Sequence, residues 1–187
     1  DTFIGYQAGA NNDSGNYNVF LGYQAGYKNE SSSQNVFLGT QAGYTNTGND
    51  NVFLGYHSGY TNSSGNSNVF LGTKAGACND YGNENVFIGK HSGLKNTEGN
   101  TNVFIGSYSG AFNTDGSNNV FLGTLAGGSN ESGDSNVFLG TQAGKQNTQG
   151  KENVFIGYSS GLSNTSGNFD TFIGYQAGAN NESGDYN

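Results

Sequence analysis

The sequence predicts an all-β chain, a parallel β-solenoid of eleven stacked coils. Three observations point to it. The whole chain is one tandem repeat of about 17 residues, every repeat holds a short β-branched and aromatic run closed by glycine, and no proline interrupts any of them. Residues 1–187 are read as one repeat segment, with coils starting at Asp1, Asn18, Asn35, Asn51, Asn68, Asn85, Asn102, Asn119, Asn136, Asn153 and Asp170. Ten of these rows have 17 residues and the row from Asn35 has 16, its gap falling just before Gly48.

The columns of this arrangement carry the prediction. Column three is Phe in every row: Phe3, Phe20, Phe37, Phe53, Phe70, Phe87, Phe104, Phe121, Phe138, Phe155 and Phe172. Column two is Val or Thr and column four Leu or Ile, so the run favours strand, and the Gly of column five ends it. Column nine is also always Gly, and a third Gly column at fifteen is broken only by Ser32. Two or three fixed glycines per row would each cost a helix about 1 kcal/mol, and no row shows a helical period. A hairpin meander is disfavoured because the chain has no Asn-Gly pair, the strongest signal for a two-residue β-turn. What remains is one coil per row, with equivalent strands stacked in parallel at about 4.8 Å and a rod on the order of 50 Å long.

Glycine suits corners that need positive φ or close backbone approach. Column twelve is always Asn, at Asn12, Asn29, Asn46, Asn62, Asn79, Asn96, Asn113, Asn130, Asn147, Asn164 and Asn181, and column one is Asn or Asp. Asn tolerates left-handed backbone and can stack on itself, so both columns are expected to be corners carrying Asn ladders. Within the strand, Phe points to one face while Val and Leu/Ile point to the other. Both faces are apolar, yet one coil has only one interior. The expectation is that Val and Leu/Ile fill the coil and that Phe meets partner chains, because a column of exposed Phe would exceed the apolar patch a monomer tolerates. The partner expected is the chain itself.

Composition narrows the function classes. A net charge of −8, with six Lys and no Arg, argues against nucleic acid, whose binding rests on phosphate neutralisation. No apolar run approaches the roughly 18 residues of a membrane helix, so no membrane insertion is expected of this segment. The chain has no Met, begins inside a repeat and ends on Asn187, the first letter of another, and its first and last rows agree at 15 of 17 positions. The expectation is a segment of a longer array without caps.

The phrase N-V-F-L-G-x-x-A, as in Asn18 to Ala25, resembles the N-S-V-A-I-G-x-x-A repeat of trimeric autotransporter adhesin heads, which form a left-handed parallel β-roll. The longer unit is similar to repeat arrays of bacterial and phage tail-fibre-like proteins, which often end in an intramolecular chaperone of the endosialidase type. The rows depart from the adhesin head in their longer coil and in placing Phe where that family has a small residue. The resemblance implies an extracellular, homotrimeric fibre or cell-surface adhesin.

No column reads as catalytic, and the chain is not expected to be an enzyme. His57 and His91 share column seven but lie two coils, about 10 Å, apart with Lys74 between them, too far for one tetrahedral site, and are expected to replace Gln on a solvent-facing column. The fourteen carboxylates sit mostly in loops, as Asp13, Glu131 and Glu182, or at row ends, as Asp50 and Glu84. They read as a solvated face. Repeated Asn/Asp corners offer at most a weak Ca²⁺ site, and no cofactor is expected. Cys78 reads as a surface substitution. Six Asn-x-Ser sequons, starting at Asn12, Asn29, Asn62, Asn130, Asn164 and Asn181, all use column twelve and read as a by-product of corner chemistry.

Tyr27, Tyr44 and Tyr60, at column ten of successive rows, are the one lead towards a ligand: stacked aromatics suit a glycan platform or simple cross-coil packing. Three functions are therefore expected in order: a structural segment of an extracellular fibre or adhesin, a self-assembling filament subunit, and a glycan-binding module.

Overall fold

The computed structural model describes residues 1–187. Eleven three-residue strands, Thr2–Ile4, Val19–Leu21, Val36–Leu38, Val52–Leu54, Val69–Leu71, Val86–Ile88, Val103–Ile105, Val120–Leu122, Val137–Leu139, Val154–Ile156 and Thr171–Ile173, form one parallel sheet in chain order. Each row supplies one strand, and the register places like on like: Val69 pairs with Val86, Phe70 with Phe87, Leu71 with Ile88. The rest of each coil is a chain of turns, and there is no helix. These turns stack as the strands do. The N–H of Lys74 donates to the Tyr56 carbonyl one coil back, and that of Gly76 to the Ser92 carbonyl one coil on. The fold is thus a parallel β-solenoid whose backbone groups are satisfied between coils.

The interior reverses one expectation. Phe20, Phe37, Phe53, Phe70, Phe87, Phe104, Phe121, Phe138 and Phe155 are fully buried inside the single chain, and Val and Leu/Ile face outwards, half-exposed or exposed. Phe3 and Phe172, in the first and last rows, continue the column and are more open because each has a neighbour on one side only. The rings stack face to face at centroid spacings of 4.7–5.1 Å, each on the ring of the next coil. Such pairs contribute about 0.5–1.5 kcal/mol beyond the area they bury.

Glycine is the reason that the larger side chain goes inside. At column nine, Gly93 has φ +56, and a Cβ there would run into the Phe87 ring of its own coil. At column five, Gly89 has φ +129 and a Cβ would lie 2.6 Å from the Gly106 carbonyl oxygen of the next coil. One glycine vacates the space that the ring fills, and the other lets neighbouring backbones meet at strand spacing. Column eight completes the packing. Its Ala residues are small and, between the two end coils, buried, and where Ser replaces Ala the hydroxyl donates to a Phe carbonyl of the next coil, as Ser92 to Phe104 at 2.9 Å.

The left-handed corners are also not where Asn predicts them. No column-one or column-twelve Asn has positive φ, whereas all eleven residues of column seven and all eleven of column seventeen do, from Gln7 (φ 54) and Tyr17 (φ 61) to Gln176 (φ 53) and Tyr186 (φ 59). These positions hold residues as unsuited to it as Thr101 (φ 57) and Leu125 (φ 59). Each costs on the order of 1 kcal/mol. Stacking sets these corners, and residue preference yields to it. The short row is absorbed in the turn after Asn46, where Thr45–Asn46 pairs in parallel with Thr61–Asn62 as a second, two-stranded sheet.

Inside and outside are separable by measurement. Phe87→Ala should lower stability by about 3–5 kcal/mol in urea unfolding. Val86→Thr, which installs the residue that column two already carries at Thr2 and Thr171, should change it by less than about 0.5 kcal/mol. Equal costs would refute the assignment of faces.

Candidate functional site

The side chains with chemistry are organised as ladders that run along the rod. In column twelve, Asn29, Asn46, Asn62, Asn79, Asn96, Asn113, Asn130, Asn147 and Asn164 are fully buried. Each carboxamide uses its donor twice. Asn96 Nδ2 donates to Asn79 Oδ1 at 2.6 Å, one coil back, and to the Gly99 carbonyl of its own turn at 2.9 Å. Asn12 and Asn181 hold the ends of the same ladder, half-buried, through Asn29 Nδ2 to Asn12 Oδ1 and Asn181 Nδ2 to Asn164 Oδ1. The short row keeps its rung, with Asn46 Nδ2 reaching Asn29 Oδ1 at 3.1 Å and the Gly48 carbonyl at 2.6 Å.

Column one is a second, differently wired ladder. The backbone N–H of Asn102 donates to Asn85 Oδ1 of the previous coil at 2.9 Å, while Asn102 Nδ2 donates to the carbonyl of Gly116, fourteen residues on in its own coil, at 2.9 Å. Column fifteen sits between the two ladders: a Cβ on Gly82 would lie 2.5 Å from the Gly99 oxygen and 2.6 Å from Asn96 Nδ2. Ser32, the one exception there, folds its hydroxyl onto Asn29, donating to the carbonyl at 2.9 Å.

A third ladder, at column sixteen, is not among the expectations. Backbone N–H groups donate to short polar side chains one coil on, as Asn66 to Asn83 Oδ1 at 2.9 Å and Ser117 to Asp134 Oδ1 at 2.9 Å. The signal was available, since ten of the eleven residues in this column are Asn, Ser or Asp. Lys151 is the exception. Having no acceptor, it pairs its Nζ with Asp134 Oδ2 at 2.7 Å instead, an exposed ion pair of little energetic weight.

The burial of column twelve bears on the sequons. Asn29, Asn62, Asn130 and Asn164 have their Nδ2 groups inside the rod and hydrogen-bonded, so the folded chain offers no acceptor nitrogen at these positions.

Column seven is half-buried and polar. Gln24 Nε2 donates to Gln7 Oε1 and Gln41 Nε2 to Gln24 Oε1, both at 2.8 Å, and His57 Nε2 continues the run to Gln41 Oε1 at 2.6 Å. His57 therefore takes the place of a Gln inside a ladder, where its ring also stacks on Tyr56 at 3.8 Å and lies 4.7 Å from Tyr60. His91 sits edge-on to Tyr108, and its buried Nδ1 has no partner. Neither imidazole is the freely solvated group expected. Burial, and after it the Lys74 charge, pushes His57 below the ordinary imidazole value; burial, then Lys90 and Lys74, does the same to His91.

Tyr27, Tyr44 and Tyr60 stack at 5.1 Å with their planes within 7° of parallel, and all three are half-buried. Stacking covers the ring faces that lie between them. Cys78 is exposed in column eleven, with its thiol pushed up by partial burial and then by Asp80. No group of three or more His, Cys, Asp or Glu side chains comes together.

The outer surface is strongly sorted. Of nineteen exposed large hydrophobic residues, all but Phe3, Tyr81, Tyr108 and Phe112 lie in columns seventeen, two, four and six. They form one strip down the outer face of the main sheet. Leu54 is 46% exposed and Val52 37%, even in the fourth coil. Aromatic stacks line both margins: Tyr6 on Tyr23 and Tyr158 on Tyr175 along column six, and Phe169 on Tyr186 along column seventeen. Charge is sorted as well. All fourteen carboxylates lie in columns thirteen to seventeen and one, while five of the six Lys, all but Lys151, and both His lie in columns six to eleven. The apolar strip separates these two arcs.

No family model, curated protein or solved structure matches the chain.

Two outcomes test the ladders. Asn96→Asp keeps the shape but removes the Nδ2 donor and sets a carboxylate against the Gly99 carbonyl, so it should cost about 3 kcal/mol or more at pH 7, measured by urea unfolding, with part of the loss recovered in acid as the carboxylate is protonated. The depressed imidazoles make stability fall as pH drops: the folded chain holds His57 and His91 neutral where the unfolded chain already binds protons, so their contribution is complete above about pH 6.5 and is lost below it. Urea midpoints for His57→Gln/His91→Gln should accordingly decline less than those of the parent between pH 7.5 and about pH 5.

Proposed function

We propose that this chain is a structural segment of an extracellular fibre or surface adhesin: a rod that gains length by stacking coils and associates with itself through the apolar strip. The observation that carries the reading is how the side chains are used. Phe, Ala, Ser and two Asn columns are committed to holding one coil on the next, and the outward feature left over is a continuous apolar face. A monomer seldom leaves more than a few hundred Å² of contiguous apolar surface in water. Self-association follows from that excess. The extracellular setting rests on the resemblance of N-V-F-L-G-x-x-A to adhesin and tail-fibre repeats, and the acidic balance suits a solvated fibre surface.

Small-angle scattering and negative-stain microscopy should show a rigid particle roughly 50 Å long per eleven coils, resistant to trypsin and proteinase K under native conditions. A compact globular particle, or rapid digestion throughout the coils, would overturn the reading.

A further inference from the structure

Resting on the proposed self-association, the charge pattern beside the apolar strip determines how two rods lie together. Columns two and four carry the strip down all eleven coils, and columns seventeen and six widen it with aromatic rings towards the two ends, being mostly Thr, Ser, Asn, Asp, Glu and Lys in the middle coils. At strand dimensions the whole sheet face from column seventeen to column six, apolar centre and mixed margins together, is roughly 15–20 Å wide and roughly 50 Å long, on the order of 800–1,000 Å² per copy, which matches what each partner contributes to a standard stable interface. It is also the outer face of a single sheet. One such face opposed to another, about 10 Å apart, buries both strips completely.

The margins decide orientation. A two-fold axis along the rods sets the column-seventeen margin of one copy against the column-six margin of the other, coil for coil. Each column-seventeen residue runs straight into the strand of the following row, so Tyr17 then meets Tyr23 and Phe169 meets Tyr175, while the acidic residues Asp50, Glu84 and Glu152 face Tyr56, Lys90 and Tyr158. Lys90 of each copy thus faces Glu84 of the other, a pair of opposite charges. A two-fold axis across the rods would instead set each margin against itself. In full overlap it would bring Glu84 against Glu84 and Lys90 against Lys90 of the other copy. Aromatic margins meet in either case, but like charges meet only in the second, and directly opposed like charges are destabilising.

We infer that the strip receives a second copy of this chain, parallel to the first and in register, with the two sheet faces opposed about a two-fold axis that runs along the rods. The pair uses one apolar face per chain, in place of the three-chain arrangement that the adhesin resemblance implies. Outward from the pair, each side of the double rod carries an acidic arc of one copy beside a basic arc of the other.

The test places one nitroxide label per chain near one end of the rod, on Gln7→Cys or on Gln176→Cys, both exposed, in a Cys78→Ser background of the whole chain. Light scattering should give twice the chain mass. Pulsed dipolar spectroscopy should then give one inter-label distance below about 35 Å for either position, whereas an antiparallel pair would separate like labels by ten coils, about 48 Å along the rod alone. Val52→Asp/Leu54→Asp, whose side chains point outwards, should weaken the pair at least tenfold and abolish the dipolar signal, with the circular dichroism of the rod retained. A trimer mass, or the long distance, overturns the parallel pair while leaving self-association standing. A monomer at all concentrations overturns both.

Discussion

Every feature of this rod follows from stacking nearly identical coils in register at the spacing of adjacent β-strands. In that geometry each side chain sits on its own counterpart from the next coil, some eleven times over. A column therefore works only if its residue is complementary to itself. Phe passes this condition by stacking its ring on the near-parallel ring of the next coil, at spacings of 4.7–5.1 Å. Asn passes it because one carboxamide carries both donor and acceptor, so the Nδ2 of one coil meets the Oδ1 of the previous one. A buried Lys or Glu column would fail it. Both the very low variability of the inward columns and the sorting of charge to the outward ones have this origin.

The same condition explains an interior that is only partly apolar. A coil of 17 residues with a three-residue strand encloses little more than one ring and one small residue, the Phe and Ala/Ser columns. The remainder of the cross-section is polar, filled by two Asn ladders and the carbonyls of column fifteen. Burying so many amides is tolerable because their hydrogen bonds are made, each worth about 0.5–1.5 kcal/mol net. Repetition then becomes an advantage, since one solution to the satisfaction problem serves every coil.

Much of this was legible in the sequence because columns are legible. The coil starts, the parallel stacking and the strand residues are all visible in rows of Phe and Gly. The orientation of the strand was not, for a physical reason: Val, Phe and Leu/Ile are all apolar, so alternation alone gives no inside. What decides it is Gly93 and its equivalents, whose missing Cβ makes room for the ring of Phe87, a contact between residues six apart that periodicity does not express. The left-handed corners at columns seven and seventeen were invisible because His, Lys, Tyr, Leu, Thr and Glu all occupy them. Their backbone is dictated by neighbouring coils, and their side chains, being outward or half-outward, are free to vary. Column sixteen was legible and overlooked, its mixture of Asn, Ser and Asp sharing one property, a short acceptor.

The two Asn columns differ in a way that the hydrogen bonds explain. Column one admits Asp, at Asp1 and Asp170, whereas column twelve is Asn without exception. In column one the ladder itself needs only an acceptor: Asp170 Oδ1 receives the N–H of Asn187 at 2.9 Å, just as Asn153 Oδ1 receives that of Asp170 at 2.9 Å. The second carboxylate oxygen finds a donor in Asn181 Nδ2 at 3.1 Å, so the buried charge is met by three N–H groups, the third being Asn187 Nδ2 at 3.0 Å. In column twelve the ladder is carried by Nδ2, which must reach both a carboxamide and a carbonyl, and a carboxylate can do neither. The tolerance of one column and the invariance of the other thus reflect which end of the amide carries the stack. A column-twelve carboxamide supplies the donor that the second oxygen of a column-one Asp needs, as Asn181 does for Asp170, and nothing in the coil supplies one to column twelve.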